Sequence, residues 1–213
     1  MPVAPVRAGV VSKGGDGGMI GMTADATEPT LPDLLAEGLS VVFVGINPSR
    51  FSVSRGHYFA RPGNRFWPCF SRSILSASVR RALGVTALRP EHDVALPAHG
   101  FGFTDVVKRP TPRASDLHPS EFTAGVTDLV RKLERYRPLI ACFHGVTGYR
   151  HVHRAFDSAT VRHVLGPQAL RIGRTALYLV PSPSAANAHF TPADQTQWYD
   201  RLAHEVAADP RAL

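Results

Sequence analysis

Apolar residues come in two rhythms along this chain. Continuous runs of strand length occur at Ser40–Gly45 and at Leu139–Phe143. Such runs, rich in β-branched and aromatic residues, predict strands buried on both faces of a parallel sheet. Phe101–Val107 predicts another short buried segment. Ala169–Ile172 and Thr175–Val180 predict two strands joined by a turn at Gly173-Arg174. Between these runs the period changes to that of a helix. Phe66, Phe70 and Ile74 fall at i, i+4, i+8 and predict a helix over Arg65–Leu75. Phe122, Val126, Leu129, Val130 and Leu133 make an apolar stripe over Ser120–Tyr136. Helices are also expected over Val146–Phe156 and Pro192–Ala207, with a short one over Leu31–Glu37 that Gly38 would end. The stretches Pro48–Asn64, Arg89–Gly100, Lys108–Pro119 and Pro181–Phe190 follow neither rhythm, carry Gly, Pro and Ser, and predict loops.

Strands alternating with helices predict an α/β fold, a three-layer αβα sandwich around a mainly parallel central sheet. In such folds ligands gather at the carboxyl ends of the strands. The segments that matter for function are then the loops after Val44, Val107, Phe143 and Val180. Residues 1–30, with Gly14-Gly15-Asp16-Gly17-Gly18 in their middle, predict a flexible tail. Residues 31–213 form a single domain with no internal repeat.

Composition narrows the choice. Hydrophobic residues are 44% of 213, enough for one real core. A formal charge of +7 and a sequence pI near 10.0 point to a polyanionic partner, nucleic acid first among them. Two cysteines, Cys69 and Cys142, are too few for a disulfide framework or an all-cysteine metal cluster. The tight pair His151 and His153 splits to different faces of a helix and reads as surface. No apolar run approaches the ~20 residues that span a membrane. A soluble, cytoplasmic monomer is expected, with no metal and no organic cofactor.

Three of the strand-end loops carry unusual residues. One reads Gly45-Ile46-Asn47-Pro48-Ser49 and continues through His57-Tyr58-Phe59-Ala60 to Gly63-Asn64-Arg65-Phe66-Trp67. The second reads Gly102-Phe103-Thr104-Asp105-Val106-Val107, then Arg109-Pro110-Thr111. The third reads Pro181-Ser182-Pro183-Ser184-Ala185-Ala186-Asn187. In this order they resemble the mismatch-specific uracil/thymine-DNA glycosylase family of the uracil-DNA glycosylase superfamily, over about Leu35 to Phe190. The first motif alone is weak; the three together are specific. The resemblance implies a monofunctional enzyme that flips a pyrimidine out of DNA and hydrolyses its N-glycosidic bond in base excision repair, with uracil-containing or mismatched DNA as partner.

The same resemblance assigns roles. Asn47 would orient the attacking water through its amide oxygen. Backbone N–H groups near Ile46 and Phe59 would face the base oxygens, with the Phe59 ring stacked on the base. Ser52 falls where family members approach the pyrimidine C5. Asn64 either reads the base edge or braces its loop. Asp105, where relatives carry Asn or Lys, either accepts from the base N3–H or caps the strand end. Ser182 and Ser184 bind phosphate, or shape their loop as turns, or both. Ala185, Ala186 and Asn187 belong to the loop expected to enter DNA. Ala186 departs from the family's larger wedge, so Asn187 or another loop would fill the gap. By elimination among loop carboxylates, Glu91 or Asp93 would activate the water. Arg65, Lys108 and Arg109, with Arg50, Arg55, Arg61 and Arg113, are candidates for phosphate contacts.

Two rival readings share the fold: a glycosylase for deaminated purines, and a damage-binding module without catalysis. A nucleotide-binding Rossmann protein and a serine hydrolase lack their glycine-rich and nucleophile-elbow motifs.

Overall fold

The computed structural model describes residues 28–157 and 164–211. The expected tail lies outside the described residues except for 28–30, which are exposed and irregular. Five strands form one sheet in the order β2-β1-β3-β5-β4. Strands β1 (Val41–Gly45), β2 (Phe101–Asp105), β3 (Ile140–His144) and β5 (Thr175–Val180) run parallel. Only β4 (Gly166–Ile172) is antiparallel, joined to β5 by the turn at Gly173-Arg174. The α/β expectation therefore stands.

Burial explains the strand sequences. Every residue of β1, β2 and β3 is buried, which is why these strands read as unbroken apolar runs. Alternate residues feed two cores. Val41, Phe43, Phe101, Phe103 and Tyr178 face α2 (Phe66–Arg72), α3 (Ala77–Ala82) and α6 (Pro192–Ala208) in an aromatic-rich core. Val42, Val44, Ala141, Phe143, Leu177 and Leu179 face α4 (Pro119–Tyr136) and α5 (Val146–Phe156) in a mainly aliphatic one.

The register sets the functional edge. Gly45 lies opposite Asp105, and His144 opposite Val180. Four parallel strands thus end at one level, and their loops converge there.

Some local expectations fail, each for a physical reason. Leu31–Glu37 is not a helix. Leu34 is extended and exchanges two 2.9 Å backbone hydrogen bonds with Phe103 as an antiparallel bridge. Leu31 enters the aromatic core while Leu35 packs on the aliphatic one, so this segment straddles the sheet edge, which a one-faced helix cannot do. The loop after Pro48 contains a short helix, α1 (Arg50–Arg55), capped by the Ser49 hydroxyl, which accepts from the Ser52 N–H at 3.1 Å. It buries only Ser52 and so has no apolar stripe to betray it. The helix expected over Arg65–Leu75 stops at Arg72, and a single 3₁₀ turn follows at Ile74–Ser76. Pro90–His99 is a 3₁₀ segment rather than a loop.

Candidate active site

A cleft of about 200 Å³ opens at the carboxyl ends of the parallel strands. Ile46, Asn47, Ser52, Phe59, Asn64, Asp105, Ser182 and Ser184 all line it. Residues far apart in the chain are thus gathered in one place by the sheet.

Asn47 leaves β1 just before Pro48, and its amide is held by the second loop. Nδ2 donates to the Arg109 carbonyl at 2.9 Å and to the Thr111 hydroxyl at 2.7 Å. Thr111 in turn donates its own proton to the Arg113 carbonyl at 2.7 Å. A carbonyl only accepts, and the Thr111 hydroxyl has its proton engaged elsewhere, so the amide nitrogen must be the atom facing both. The amide oxygen is turned the other way and left available as an acceptor.

Phe59 sits in the left-handed region at φ 54°, an uncommon conformation for a bulky residue. The residue before it is fastened at three points. The Tyr58 N–H donates to Asp93 at 2.8 Å, the Tyr58 carbonyl accepts from the Trp67 indole at 2.8 Å, and the Tyr58 hydroxyl donates to the Pro32 carbonyl at 3.0 Å. The Phe59 ring stacks on Phe66 with centroids 4.4 Å apart and meets His144 edge-on at 5.1 Å. A flat ring backed by a second ring is a rigid platform at the cleft wall.

Asp93 and Glu91 are not in this cleft. Asp93 is fully buried and spends its carboxylate on His57 Nδ1 at 2.9 Å and the Tyr58 N–H, so its place is behind the Phe59 turn, away from any water at the cleft. Glu91 is exposed on the 3₁₀ segment. Neither carboxylate is where the elimination argument put it.

The cations also differ from expectation. Lys108 Nζ lies 2.8 Å from Asp33 and donates to the Tyr58 hydroxyl at 3.1 Å. Arg109 forms a two-pronged pair with Glu121 at 2.6 and 2.8 Å, which holds the Glu121 carboxyl down to about 2. Arg65 donates to three carbonyls of the third loop, those of Ser184 (3.0 Å), Asn187 (2.6 Å) and Phe190. All three side chains have partners within the chain, where sequence alone placed them on phosphates; Arg109 stands 41% exposed, and the Arg65 Nε is buried without a partner. Arg113 pairs loosely with Asp116 at 3.3 Å, and Arg50 lies 4.0 Å from Glu28.

The third loop is shaped from within. The Ser184 N–H donates to the Ser182 hydroxyl at 3.4 Å and the Ala186 N–H to the Ser184 hydroxyl at 3.3 Å. Asn187 Nδ2 reaches back to the Ser182 carbonyl at 2.9 Å. Both serines therefore serve as turn-formers. Ala185 and Ala186 sit exposed at the tip. Asn64 braces α2, its Oδ1 accepting from the Phe66 N–H at 2.9 Å. Ser52 is buried, with its hydroxyl 3.0 Å from that of Ser49.

Asp105 ends β2 in the floor of the cleft. It is 4% exposed, and its Oδ2 is buried with no hydrogen-bond partner. It caps nothing with that oxygen. Burial raises its carboxyl to about 7; Lys108 and Lys132 pull it down only partly, and Asp33 works with the burial. Asp33 itself is pushed up by burial but held below the ordinary value overall by Lys108, Lys132 and Thr104.

The motif reading passed over His144. It ends β3, lines the cleft, and is surrounded by Phe43, Phe59, Phe66 and Tyr199. Nε2 lies 3.0 Å from the Tyr199 hydroxyl, while Nδ1 is buried without a hydrogen-bond partner. Burial lowers its pKa to about 3, so it is neutral at physiological pH. Its position at a parallel strand's end was the only available signal. A second groove of about 610 Å³ shares Phe59, Arg61 and Asn64 with the cleft and adds Arg72, Arg80 and Arg89 to its lining, with no acidic residue. No helix among the described residues is long and apolar enough to cross a membrane.

These features can be set beside known proteins. The chain is similar to a candidate uracil DNA glycosylase of Methanosarcina acetivorans solved by solution NMR, with 22% identity over 82% of this chain and 96% of that one, and a TM-score of 0.49. The model of the uracil DNA glycosylase superfamily matches residues 32–203, a span that includes all three strand-end motifs. By that match the chain belongs to the uracil DNA glycosylase superfamily.

Proposed function

We propose that this protein is a monofunctional glycosylase of the mismatch-specific type, removing uracil, and more slowly thymine, from weakly paired positions in DNA. The fixed amide of Asn47 carries this reading. A water accepted by its oxygen would be aimed at the sugar carbon of a nucleotide whose base lies against Phe59. The water oxygen bonds to that carbon as the carbon–nitrogen bond breaks, and the bonding pair leaves with the base. The water's surplus proton passes to solvent or to the departing base, because an amide oxygen orients but does not hold a proton at neutral pH. Catalysis then rests on placement and on stabilising the leaving anion.

The small tip of the third loop supports the preference for weak pairs. Ala185 and Ala186 offer little apolar bulk to hold a duplex open, so a base already loosened by a G mismatch or a single-stranded context is favoured. The arginine-lined groove beside the cleft suits the phosphates of the strand that delivers the base.

The test is single-turnover cleavage of labelled oligonucleotides carrying U·G, T·G, U·A, single-stranded U or hypoxanthine, with wild type and Asn47→Ala. Cleavage of U·G and single-stranded U that falls about 10²–10³-fold in the variant is the expected result. Abasic product on none of them removes the enzyme reading, and cleavage confined to hypoxanthine moves the substrate to deaminated purines.

A further inference from the structure

The charged side chains around the cleft are mostly spent within the chain. Lys108 and Lys132 share Asp33, Arg109 grips Glu121, and Arg65 holds the third loop. The second groove departs from this rule. Arg61, Arg72 and Arg89 stand exposed along it without a carboxylate partner among the described residues, and no acidic residue lines it. Arg80 joins them from α3, its Nε donating to the Ser76 hydroxyl at 3.2 Å. Like charges gathered without a counter-charge repel one another, an arrangement that favours an anionic occupant.

The walls of this groove are fastened. One wall, residues 86–90, is pinned to α2 by the Ser71 hydroxyl, which donates to the Leu88 carbonyl at 3.2 Å and accepts from the Leu88 N–H at 2.5 Å. The Leu88 side chain is buried in the aromatic core. The other wall is the turn of residues 59–64, held through Tyr58 and through Asn64 on the Phe66 N–H. That same turn borders the cleft, since Phe59, Arg61 and Asn64 line both hollows. A strand that leaves the cleft across this turn enters the groove directly. The other basic hollow, at Arg171, Arg174 and Arg211, shares no residue with the cleft and contains Asp209.

The lining suits an unpaired strand better than a duplex. A duplex keeps its bases stacked inside and offers a protein surface chiefly phosphates, which need no hollow. This groove is roomier than the cleft, about 610 Å³ against about 200 Å³. It sets the rings of Pro62, Pro68 and Pro90 among its guanidinium groups. Unpaired bases stack on guanidinium planes, and phosphates take the guanidinium fork of donors. Trp67 is not free for stacking, being 3% exposed with its indole N–H on the Tyr58 carbonyl.

Resting on the glycosylase reading, we infer that this groove carries the single strand on one side of the flipped nucleotide, and on that side only. The enzyme then holds its substrate asymmetrically: the nucleotides on one flank of the target base are gripped by Arg72, Arg80 and Arg89, and those on the other flank lie outside the groove.

The experiment has two arms. The first measures the affinity of a uracil-free oligothymidylate across a range of salt for wild type, Arg72→Gln/Arg89→Gln and Arg72→Lys/Arg89→Lys. Arg131→Gln/Arg135→Gln on α4, which packs on the other core, is the control. Loss of two phosphate contacts should lower the slope of log affinity against log salt by about 1.4, at about 0.7 per contact on a single strand. The lysine pair should keep the slope and bind more weakly, because an ammonium offers no stacking plane. The control pair should leave the slope unchanged. The second arm measures kcat/KM on single-stranded uracil oligonucleotides extended by a few nucleotides on the 5′ flank alone or the 3′ flank alone. One extension should raise it and the other should not. The glutamine pair should erase that gain while cleaving the unextended substrate at the wild-type rate. A slope unchanged in the glutamine pair, a slope lowered equally by the control pair, or equal gains from both extensions overturns the inference. Thymidine triphosphate bound as tightly as the oligothymidylate, and lost in the glutamine pair, also overturns it by making the groove a free-nucleotide site. If wild type cleaves nothing, the glycosylase reading fails, and the first arm alone still decides whether the groove binds single strands.

Discussion

The two walls of the cleft are held in opposite ways. On one wall a single side chain is fixed: the Asn47 nitrogen is bound by Arg109 and Thr111, and its oxygen is turned away from both. On the other, the side chains of Ser182, Ser184 and Asn187 are turned to shaping their own loop. The backbone of the third loop is gathered instead, with three of its carbonyls on the single guanidinium of Arg65, and small residues stand at its tip. The first arrangement gives precision at one atom. The second sets the position of a whole surface loop as a block. On the proposed function, chemistry draws on the first and entry of a distorted strand on the second.

The largest effect that would sharpen this contrast is the Asn47→Ala loss in rate, equivalent to about 3–4 kcal/mol, with thermal stability nearly unchanged. A stability loss of similar size would mean that Asn47 serves the fold instead. Next comes Arg65→Ala. Removing one charged donor group from three carbonyls should lower stability by about 2–3 kcal/mol, and duplex substrates should suffer more than single strands. Equal loss on both would show that the loop does not meet the duplex. Thr111→Val keeps the shape of the side chain but removes the acceptor that locks the amide. A slowing of about tenfold is expected, the worth of one hydrogen bond at about 1–1.5 kcal/mol. No slowing would show that the Arg109 carbonyl suffices. Ala186→Leu should have the smallest effect, tightening duplex binding by about 1 kcal/mol through added apolar area while leaving single-strand cleavage alone.

Asp105→Asn adds a stability test that separates floor from walls. The folded carboxyl is raised to about 7 from an ordinary value near 3.8. Between those values the unfolded chain ionises and the folded one does not, so wild-type stability drains away as pH rises and levels off above 7. The variant should therefore be the more stable protein at pH 8, by an order of a few kcal/mol at about 1.36 kcal/mol per unit. The advantage should vanish near pH 3.5. Thermal melts at the two pH values read this directly.

Much of this was legible in the sequence, for reasons that the failures make clear. Val146–Phe156 and Thr175–Val180 are bounded correctly because each is a single clean rhythm, the first opened after Gly145 and the second closed by Pro181. The loops that build the cleft were identifiable because strand ends are where such sheets gather function. What sequence hid was pairing. Lys108 meets Asp33 from 75 positions away, and Arg65 meets the third loop from more than 100. Each looks like a free surface charge until the fold brings its partner. Asp93 misled for the converse reason. A carboxylate in a stretch that reads as a loop counts as available by sequence, yet it is buried behind the Phe59 turn. His144 carried no motif, and only its place at a strand end marked it.

The contact between positions 45 and 105 reaches beyond the cleft. A Cβ on Gly45 would meet the terminal Oδ1 of Asp105 at 2.2 Å, so a side chain there would require the carboxyl to swing aside. Alanine at 45 would turn the Asp105 carboxyl out of its present seat. The bareness of one strand end thus sets the room open to its neighbour, and a library that varies 105 alone will sample a narrower range of side-chain orientations than one that varies both together.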